Sequence, residues 1–176
     1  MGDKIIVCGL NGAGKSTFGR SFAQALGWTF ADIEDYYFPN VDAEYKFSVS
    51  RTKQEVCDML LADMRANDNF ILAAVKGDYG QDVMSMFTRA IQICVPKDIR
   101  MKRVRDRSHQ KFGDRMLPGG DLHDQEEAFF AFVDARSEDE VHQWLAQASI
   151  PIIQLDGLNT IEENIRLVKA ELMDCQ

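Results

Sequence analysis

No stretch of this 176-residue chain is apolar for long enough to cross a bilayer, so a membrane-spanning role is not expected. The first apolar run begins at Ile5, which leaves no room for a secretory leader, and position 6 is Ile rather than the Ser or Thr that myristoylation of Gly2 requires. Cysteines are few. Cys8, Cys57, Cys94 and Cys175 are scattered without metal or redox spacing, three of them in apolar contexts that suit small core residues. That usage fits a reducing, cytoplasmic compartment. His109 and His123 have no second ligand at zinc spacing, so surface or capping roles are expected for both. Neither Asn-Lys-x-Asp nor Asp-x-x-Gly occurs, which argues against a GTPase. Repeats and low-complexity segments are absent too, and the length suits one domain with a real core.

Positive charge is also short. The net charge is −8, a poor balance for a general nucleic-acid binder. The deficit is uneven, however. Between Lys97 and Arg115 there are eight Lys/Arg against three Asp/Glu, a basic stripe that suits a small anion or a mixed-charge solvated helix face.

What the chain does have is Gly9-Leu10-Asn11-Gly12-Ala13-Gly14-Lys15-Ser16-Thr17, a complete G-x-x-x-x-G-K-[ST] string. It follows the apolar run Ile5–Cys8 and precedes Phe18, Phe22 and Leu26 at helical spacing, with Gly27 as a stop. A P-loop belongs between a first strand and a first helix. Its glycines let successive N–H groups point inward at a triphosphate, and the helix adds the positive end of its dipole. Asn11 to Thr17 are therefore the expected ATP cradle. Lys15 brings charge to the outer phosphates, and Ser16 ligates Mg²⁺.

Strands are expected near Ile5–Cys8, Trp28–Asp32, Asn69–Val75, Ala90–Val95 and Ile150–Leu155. Helices lie between them. One is introduced by the capping-box string Thr52-x-x-Glu55, a basic one runs from Asp98 to about Arg107, and a long helix or helix pair spans Gln125 to Ala148. This alternation predicts a parallel α/β sheet covered on both faces, with ligands beyond the carboxyl ends of its strands. Lys111 to Asp121 contains Gly113, Pro118, Gly119 and Gly120 and is expected to be a mobile loop.

Polar groups gather at those strand ends. Asp32 and Glu34 are two apart after the second strand, so in an extended segment they share a face. One carboxylate can hold metal-bound water and the other can take a proton from an incoming hydroxyl, with Asp35 able to exchange roles. The alternative is an acidic loop that solvates a strand end. Asp78 ends the third strand, either near the magnesium shell, or orienting an acceptor, or in a tight turn made by Gly77 and Gly80. Arg103 and Arg107 share one helix face, Arg100 lies a turn earlier, and Arg115 follows in the loop. Arginines on a closing flap would neutralise a transferring phosphoryl group. Tyr36, Tyr37, Phe38, Tyr45 and Phe47 either wall an acceptor pocket or pack a connection. Phe129, Phe130 and Phe132 are expected in the core.

On these residues the chain resembles the small P-loop kinases of the nucleoside-monophosphate-kinase and shikimate-kinase-like group. Gly9–Thr17 matches fully. Asp32-Ile33-Glu34 is similar to the acidic segment that touches Mg²⁺ and acceptor, and Arg103, Arg107 and the loop after them resemble the arginine-bearing LID. Arg136 matches the arginine on the helix after the LID. Leu155-Asp156-Gly157, followed by Thr160-Ile161-Glu162-Glu163, is similar to the last strand and adenine-contacting loop. Lys76-Gly77-Asp78 departs from the glycine triplet of shikimate kinases, and the aromatic stretch Tyr36–Phe47 is not their pattern.

The resemblance implies one three-layer P-loop NTPase domain over residues 1–176, with a five-stranded parallel sheet and a LID at about 97–121. It implies an ATP- and Mg²⁺-dependent phosphotransferase for a small-molecule acceptor, monomeric or homodimeric, with no nucleic-acid or membrane partner. Lys15, Asp32, Arg103 and Arg107 would be catalytic. Asp156 and Gly157 would join the ATP site, Glu34, Asp78, Arg115 and Arg136 would bind the acceptor, and Ser16 and Asp32 would hold the metal. The competing reading is an ATP-dependent switch that binds a protein. ATP with Mg²⁺ should raise the melting temperature, because a ligand bound only by the native state stabilises it by linkage. Lys15→Ala should abolish most of that rise in a thermal-shift titration, and equal rises in both proteins would remove the P-loop assignment.

Overall fold

A computed structural model describes residues 2–39 and 49–174. Tyr45, Phe47 and Cys175, singled out above, lie outside the described residues. Five strands, β1 (Lys4–Cys8), β2 (Thr29–Asp32), β3 (Phe70–Ala73), β4 (Arg89–Cys94) and β5 (Ile152–Asp156), form one sheet in the order β2-β3-β1-β4-β5. Every pairing is parallel, with Val7 opposite Ala73 on one side and Ile91 on the other. The expected five-stranded parallel sheet is present.

The central strand β1 is buried along its whole length, and alternation of its side chains builds two cores. Ile5 and Val7 face a core shared with Phe18 and Phe22 of α1 (Lys15–Leu26) and Val168 of α8 (Ile161–Asp174). Ile6 and Cys8 face the opposite core. There they meet Val56, Leu60 and Met64 of α3 (Lys53–Ala66) and Val141, Trp144 and Leu145 of α7 (Asp139–Ala148). Helices on both faces of the sheet make the three layers. Cys8 is buried, whereas Cys57 is only half-buried and Cys94 is exposed at the end of β4. The expectation of three core cysteines therefore holds for one.

Several boundaries differ from the sequence reading for local reasons. Residues Ile33–Tyr37, where an extended segment was expected to carry Glu34, form a short helix α2, capped by Asp32. Thr52 and Glu55 make the anticipated reciprocal capping box, with helix α3 starting at Lys53. The short helix after β3 is α4 (Gln81–Met84). The basic helix α5 runs from Lys97 to Phe112, five residues further than expected, and a single 3₁₀ turn follows at Gly113–Met116. Most of the predicted mobile loop is thus ordered. The physical reason is a satellite core in which Val104 and Met116 pack on Phe130 and Val133 of α6 (His123–Ala135). α6 and α7 are a helix pair broken at Arg136–Glu138. Among the described residues, no helix is long and apolar enough to cross a membrane.

The capping box carries a measurable share of stability. Thr52→Ala removes the side-chain acceptor for the Glu55 N–H and the hydroxyl donor to the Glu55 carboxylate, leaving only the Thr52 backbone N–H on it, so urea unfolding should show a loss of about 1 kcal/mol. The denaturant dependence should be unchanged, and a loss below a few tenths would mean that the cap is dispensable.

Candidate active site

The phosphate loop joins β1 to α1, and its shape is held from outside. Gly12 has φ +82°, and a Cβ there would collide with the backbone carbonyl of Arg100. Arg100 is only 3% exposed. Its Nε–H donates to the Val95 carbonyl at 3.1 Å, Nη1 donates to the Asn11 carbonyl at 3.4 Å, and Nη2 lies 4.0 Å from Glu138. Arg100 is therefore a brace for the loop rather than a flap residue.

The loop opens on a cavity of about 550 Å³ lined by Asn11, Gly12, Gly14, Lys15, Ser16 and Thr17. The same walls include Asp32 and Glu34 from α2 and its cap, Asp78 beyond β3, Arg103 and Arg107 from α5, and Arg136. Seven of the sequence-predicted residues outside the glycines and Ala13 thus meet in one space with the phosphate loop's Lys-Ser-Thr run: Asn11, Asp32, Glu34, Asp78, Arg103, Arg107 and Arg136. Asp32 and Glu34 come together by a route other than the extended alternation anticipated. Asp32 caps α2, its Oδ1 accepting the Glu34 N–H at 3.0 Å, and the helix then turns Glu34 into the cavity while Ile33 and Tyr36 enter the core.

The basic stripe sorts itself by partner. Lys97 pairs with Asp134 at 3.0 Å and Lys102 with Asp106 at 2.7 Å. Arg105 pairs with Glu127 at 3.0 Å and lies 4.3 Å over the Phe130 ring. Arg103 and Arg107 are the members that reach the cavity. Arg103 donates to the carbonyls of Gly12 at 3.4 Å and Gly157 at 3.2 Å, spanning the phosphate loop and the loop after β5. Arg136 ends α6, where its Nη1 donates to Asn11 Oδ1 at 2.9 Å, and its guanidinium stacks 5.0 Å from the Phe132 ring.

Other expected residues are placed differently. Arg115 is not on the cavity wall; it makes a two-pronged pair with Asp121, with contacts of 2.7 and 3.0 Å. Asp156 is not on it either, because its Oδ1 accepts the Leu158 N–H at 2.8 Å and shapes its own loop. Ala13 is buried in the core beneath the loop. Gly157 touches the site through Arg103, and its lack of a side chain lets it approach Ile93, Val95 and the Ala13 carbonyl. The space at Gly77 is filled by Trp144 and Phe87 rather than left for a ligand. Gly80, with φ +89°, caps α4. Asp78 lies 3.6 Å from Lys76 and 3.7 Å from Lys53. His123 Nδ1 lies 3.1 Å from the Met116 carbonyl, a local cap. Thr160 and Glu163, expected near adenine, cap α8 through reciprocal bonds of 2.9 and 3.2 Å.

Lys15 sits at the electrostatic centre. Its Nζ donates to the Leu10 carbonyl at 3.1 Å. Enclosure pushes its pKa down to about 8; Asp32 and Glu34 pull it back up, and Arg107 adds to the depression. A cup of this kind, with several arginines and a depressed lysine, binds a polyanion by restoring the missing counter-charge. Ser16 and Asp32 line the same cavity and supply the hard oxygen donors that Mg²⁺ takes when it also binds phosphates. Among the described residues there is no cluster of three or more His, Cys, Asp or Glu that could hold a metal ion.

Of the aromatic residues expected either to wall a pocket or to pack a connection, Tyr37 and Phe38 line the cavity. The sequence reading missed Lys76, Tyr79 and Phe132, which also line it. Phe132 was expected in the core and is 58% exposed. Helical phase holds the signal that was overlooked: Glu126, Phe130 and Val133 mark the buried face of α6, which puts Phe129 and Phe132 on another. Tyr36, by contrast, packs inward, its hydroxyl donating to Asp63 at 2.6 Å.

No family model matches the sequence. The chain is 27% identical over 173 residues to the uncharacterised protein YqaC of Bacillus subtilis (strain 168), covering 94% of each. It is 33% identical over 76 residues to a probable gluconokinase of Rattus norvegicus, covering 39% of this chain and 41% of that one. Among solved structures, a sugar kinase from Janibacter sp. HTCC2649 superposes with a TM-score of 0.57 at 18% identity, covering 98% of this chain and 95% of that one. Shikimate kinase from Acinetobacter baumannii, in complex with shikimate, gives 0.57 at 14% identity, covering 100% and 96%. With its complete Gly9–Thr17 string and its five parallel strands, the chain has the fold of the small P-loop kinases that includes sugar, gluconate and shikimate kinases.

Proposed function

We propose that the chain is an ATP- and Mg²⁺-dependent phosphotransferase acting on a small-molecule acceptor. One observation carries this reading: the phosphate loop, three carboxylates and three arginines line a single cavity of about 550 Å³. A nucleotide switch needs the loop but has no use for an acceptor-sized space lined by Glu34, Asp78 and Arg136 next to it. The phosphate-loop N–H groups cradle the triphosphate, Lys15 holds the β- and γ-phosphates, and Thr17 contacts the α-phosphate. Ser16 and Asp32 would hold Mg²⁺, which when bound neutralises charge on the phosphates.

The acceptor hydroxyl lies beside Asp32 and Glu34, which orient it and take its proton. Its oxygen bonds to the γ-phosphorus as the bond to the β–γ bridging oxygen breaks, releasing ADP. Arg103, Arg107 and Arg136 stabilise the charge on the phosphoryl group in flight. Arg136 is tied to Asn11 of the phosphate loop, so the same loop that seats the donor also positions this cation. The test is a screen of hydroxylated metabolites for ATP consumption. One acceptor should accelerate a slow basal hydrolysis many-fold; stimulation by a protein and by no metabolite would support the switch instead.

Asp32→Asn keeps an oxygen for the Glu34 N–H and so keeps α2 capped. It should lower kcat with the true acceptor by about 100-fold or more while the KM for ATP changes little, because the lost charge acts mainly in the transition state. An unchanged kcat would make Asp32 a cap and nothing more.

The depressed Lys15 gives a pH signature. With the folded value near 8 and an ordinary value of 10.5, the unfolded chain binds more protons between those two points. Charged Lys15 therefore costs stability at neutral pH, and that cost fades as pH rises through the window. Bound phosphates hold the lysine charged. ATP binding near pH 8.5 should then take up protons, and affinity should fall as pH rises above about 8. Calorimetry in two buffers of different ionisation enthalpy checks the uptake, which Lys15→Ala should abolish.

A further inference from the structure

A second cavity, of about 430 Å³, shares Asn11, Glu34, Phe38, Arg107 and Phe132 with the first. It extends from the phosphate-transfer space into the angle between α5 and α6. Its walls are dominated by rings: Phe38 at the end of α2, Phe112 at the end of α5, and Phe129 and Phe132 one turn apart on α6. Charge enters from α5, where Arg107 and Lys111 stand at i and i+4. Glu34 from α2, Glu126 from α6, Ser108 from α5 and Asn11 of the phosphate loop complete the lining.

Such a wall discriminates. An open-chain polyhydroxy acid needs a partner for each hydroxyl it buries, and phenyl rings offer none, so its desolvation would go uncompensated. A flat unsaturated ring meets the same walls by stacking and edge contact. Its anionic substituent is then met by the guanidinium and ammonium on one face of α5. Glu34 borders both cavities and so stands where the ring's hydroxyl would enter the transfer space.

We propose that the acceptor reaches from the transfer space past Glu34 into this cavity, which seats its ring, and that it is a hydroxylated aromatic or heteroaromatic acid rather than an open-chain sugar acid. The inference rests on the phosphotransferase reading for the transfer step. In that step the acceptor's hydroxyl oxygen gains the γ-phosphoryl group of ATP, its proton passes to the carboxylates at Asp32 and Glu34, and ADP leaves. The recognition itself is independent of the transfer and can be measured without it.

The experiment is a binding panel on the full chain with Mg²⁺ and a non-hydrolysable ATP analogue, read by saturation-transfer NMR and thermal shift. The probes are hydroxymethyl benzoates and hydroxymethyl pyridine carboxylates, with gluconate and shikimate as saturated or polyhydroxylated counterparts and benzyl alcohol as a neutral ring. At least one ring acid should bind, with ring protons receiving the strongest saturation, and gluconate should not compete. Phe132→Ala, which truncates an exposed side chain and spares the core, should weaken the bound acid about tenfold or more. Lys111→Ala should weaken the acids and leave benzyl alcohol unaffected. The proposal is overturned if no ring acid binds at millimolar concentration, if gluconate binds better than every ring acid, or if Phe132→Ala leaves the bound acid's affinity unchanged. Ring-acid binding that depends on Phe132, without any ATP consumption, would instead overturn the phosphotransferase reading and keep the cavity's assignment.

Discussion

Arg100 is the residue on which the architecture of the site depends. A guanidinium is seldom buried, because removing it from water is costly unless its donors are met. Here the Nε–H is taken by Val95, at the end of the central sheet, and Nη1 by the carbonyl of Asn11, in the phosphate loop. Nη2 points toward Glu138, between α6 and α7. Its backbone carbonyl occupies the space a Cβ on Gly12 would need. One side chain therefore registers the strand end, the loop, the basic helix and the α6–α7 break against one another. The inward curl of the phosphate loop is imposed by this packing as well as by its glycines.

Asn11 extends the arrangement toward chemistry. Its backbone oxygen serves the brace and its side-chain oxygen holds Arg136, which in turn stacks on Phe132. Phosphate loop, Arg136 guanidinium and ring wall form a chain of direct contacts. Arg103 does the same on the other flank, linking Gly12 to Gly157. Arg103, Arg136 and Lys15 are thus tethered to backbone or amide oxygens rather than left to sweep through solvent, which lowers the entropy lost when an anion arrives. Lys15, with its pKa near 8, is the group whose charge a polyanion would most stabilise.

Much of this was legible in the sequence, and the reasons are specific. The phosphate loop, the five strands and the Thr52–Glu55 box depend on local chemistry, which a string of residues displays directly. Asp32 and Glu34 were legible as a pair, though the geometry that unites them is a helix cap that extended periodicity could not reveal. The stripe from Lys97 to Arg115 showed charge but not partners. Its division into ion pairs, a buried brace and two cavity arginines depends on α6, which packs against it through Phe130 and Val133. The tight packing at Gly77 was not legible, because Trp144, the ring that fills the space, lies 67 positions later in the chain. Phe132 was lost among neighbouring phenylalanines for want of attention to helical phase.

The central claim is that this one cavity moves the γ-phosphoryl group of ATP onto a small molecule. ³¹P NMR of the chain with ATP, Mg²⁺ and the acceptor identified by screening tests it most directly, because it reports where the phosphorus goes. The account predicts a new phosphate-ester resonance that grows in step with ADP and is absent with Lys15→Ala. Inorganic phosphate as the sole product, formed at the same rate with and without every acceptor, would contradict it.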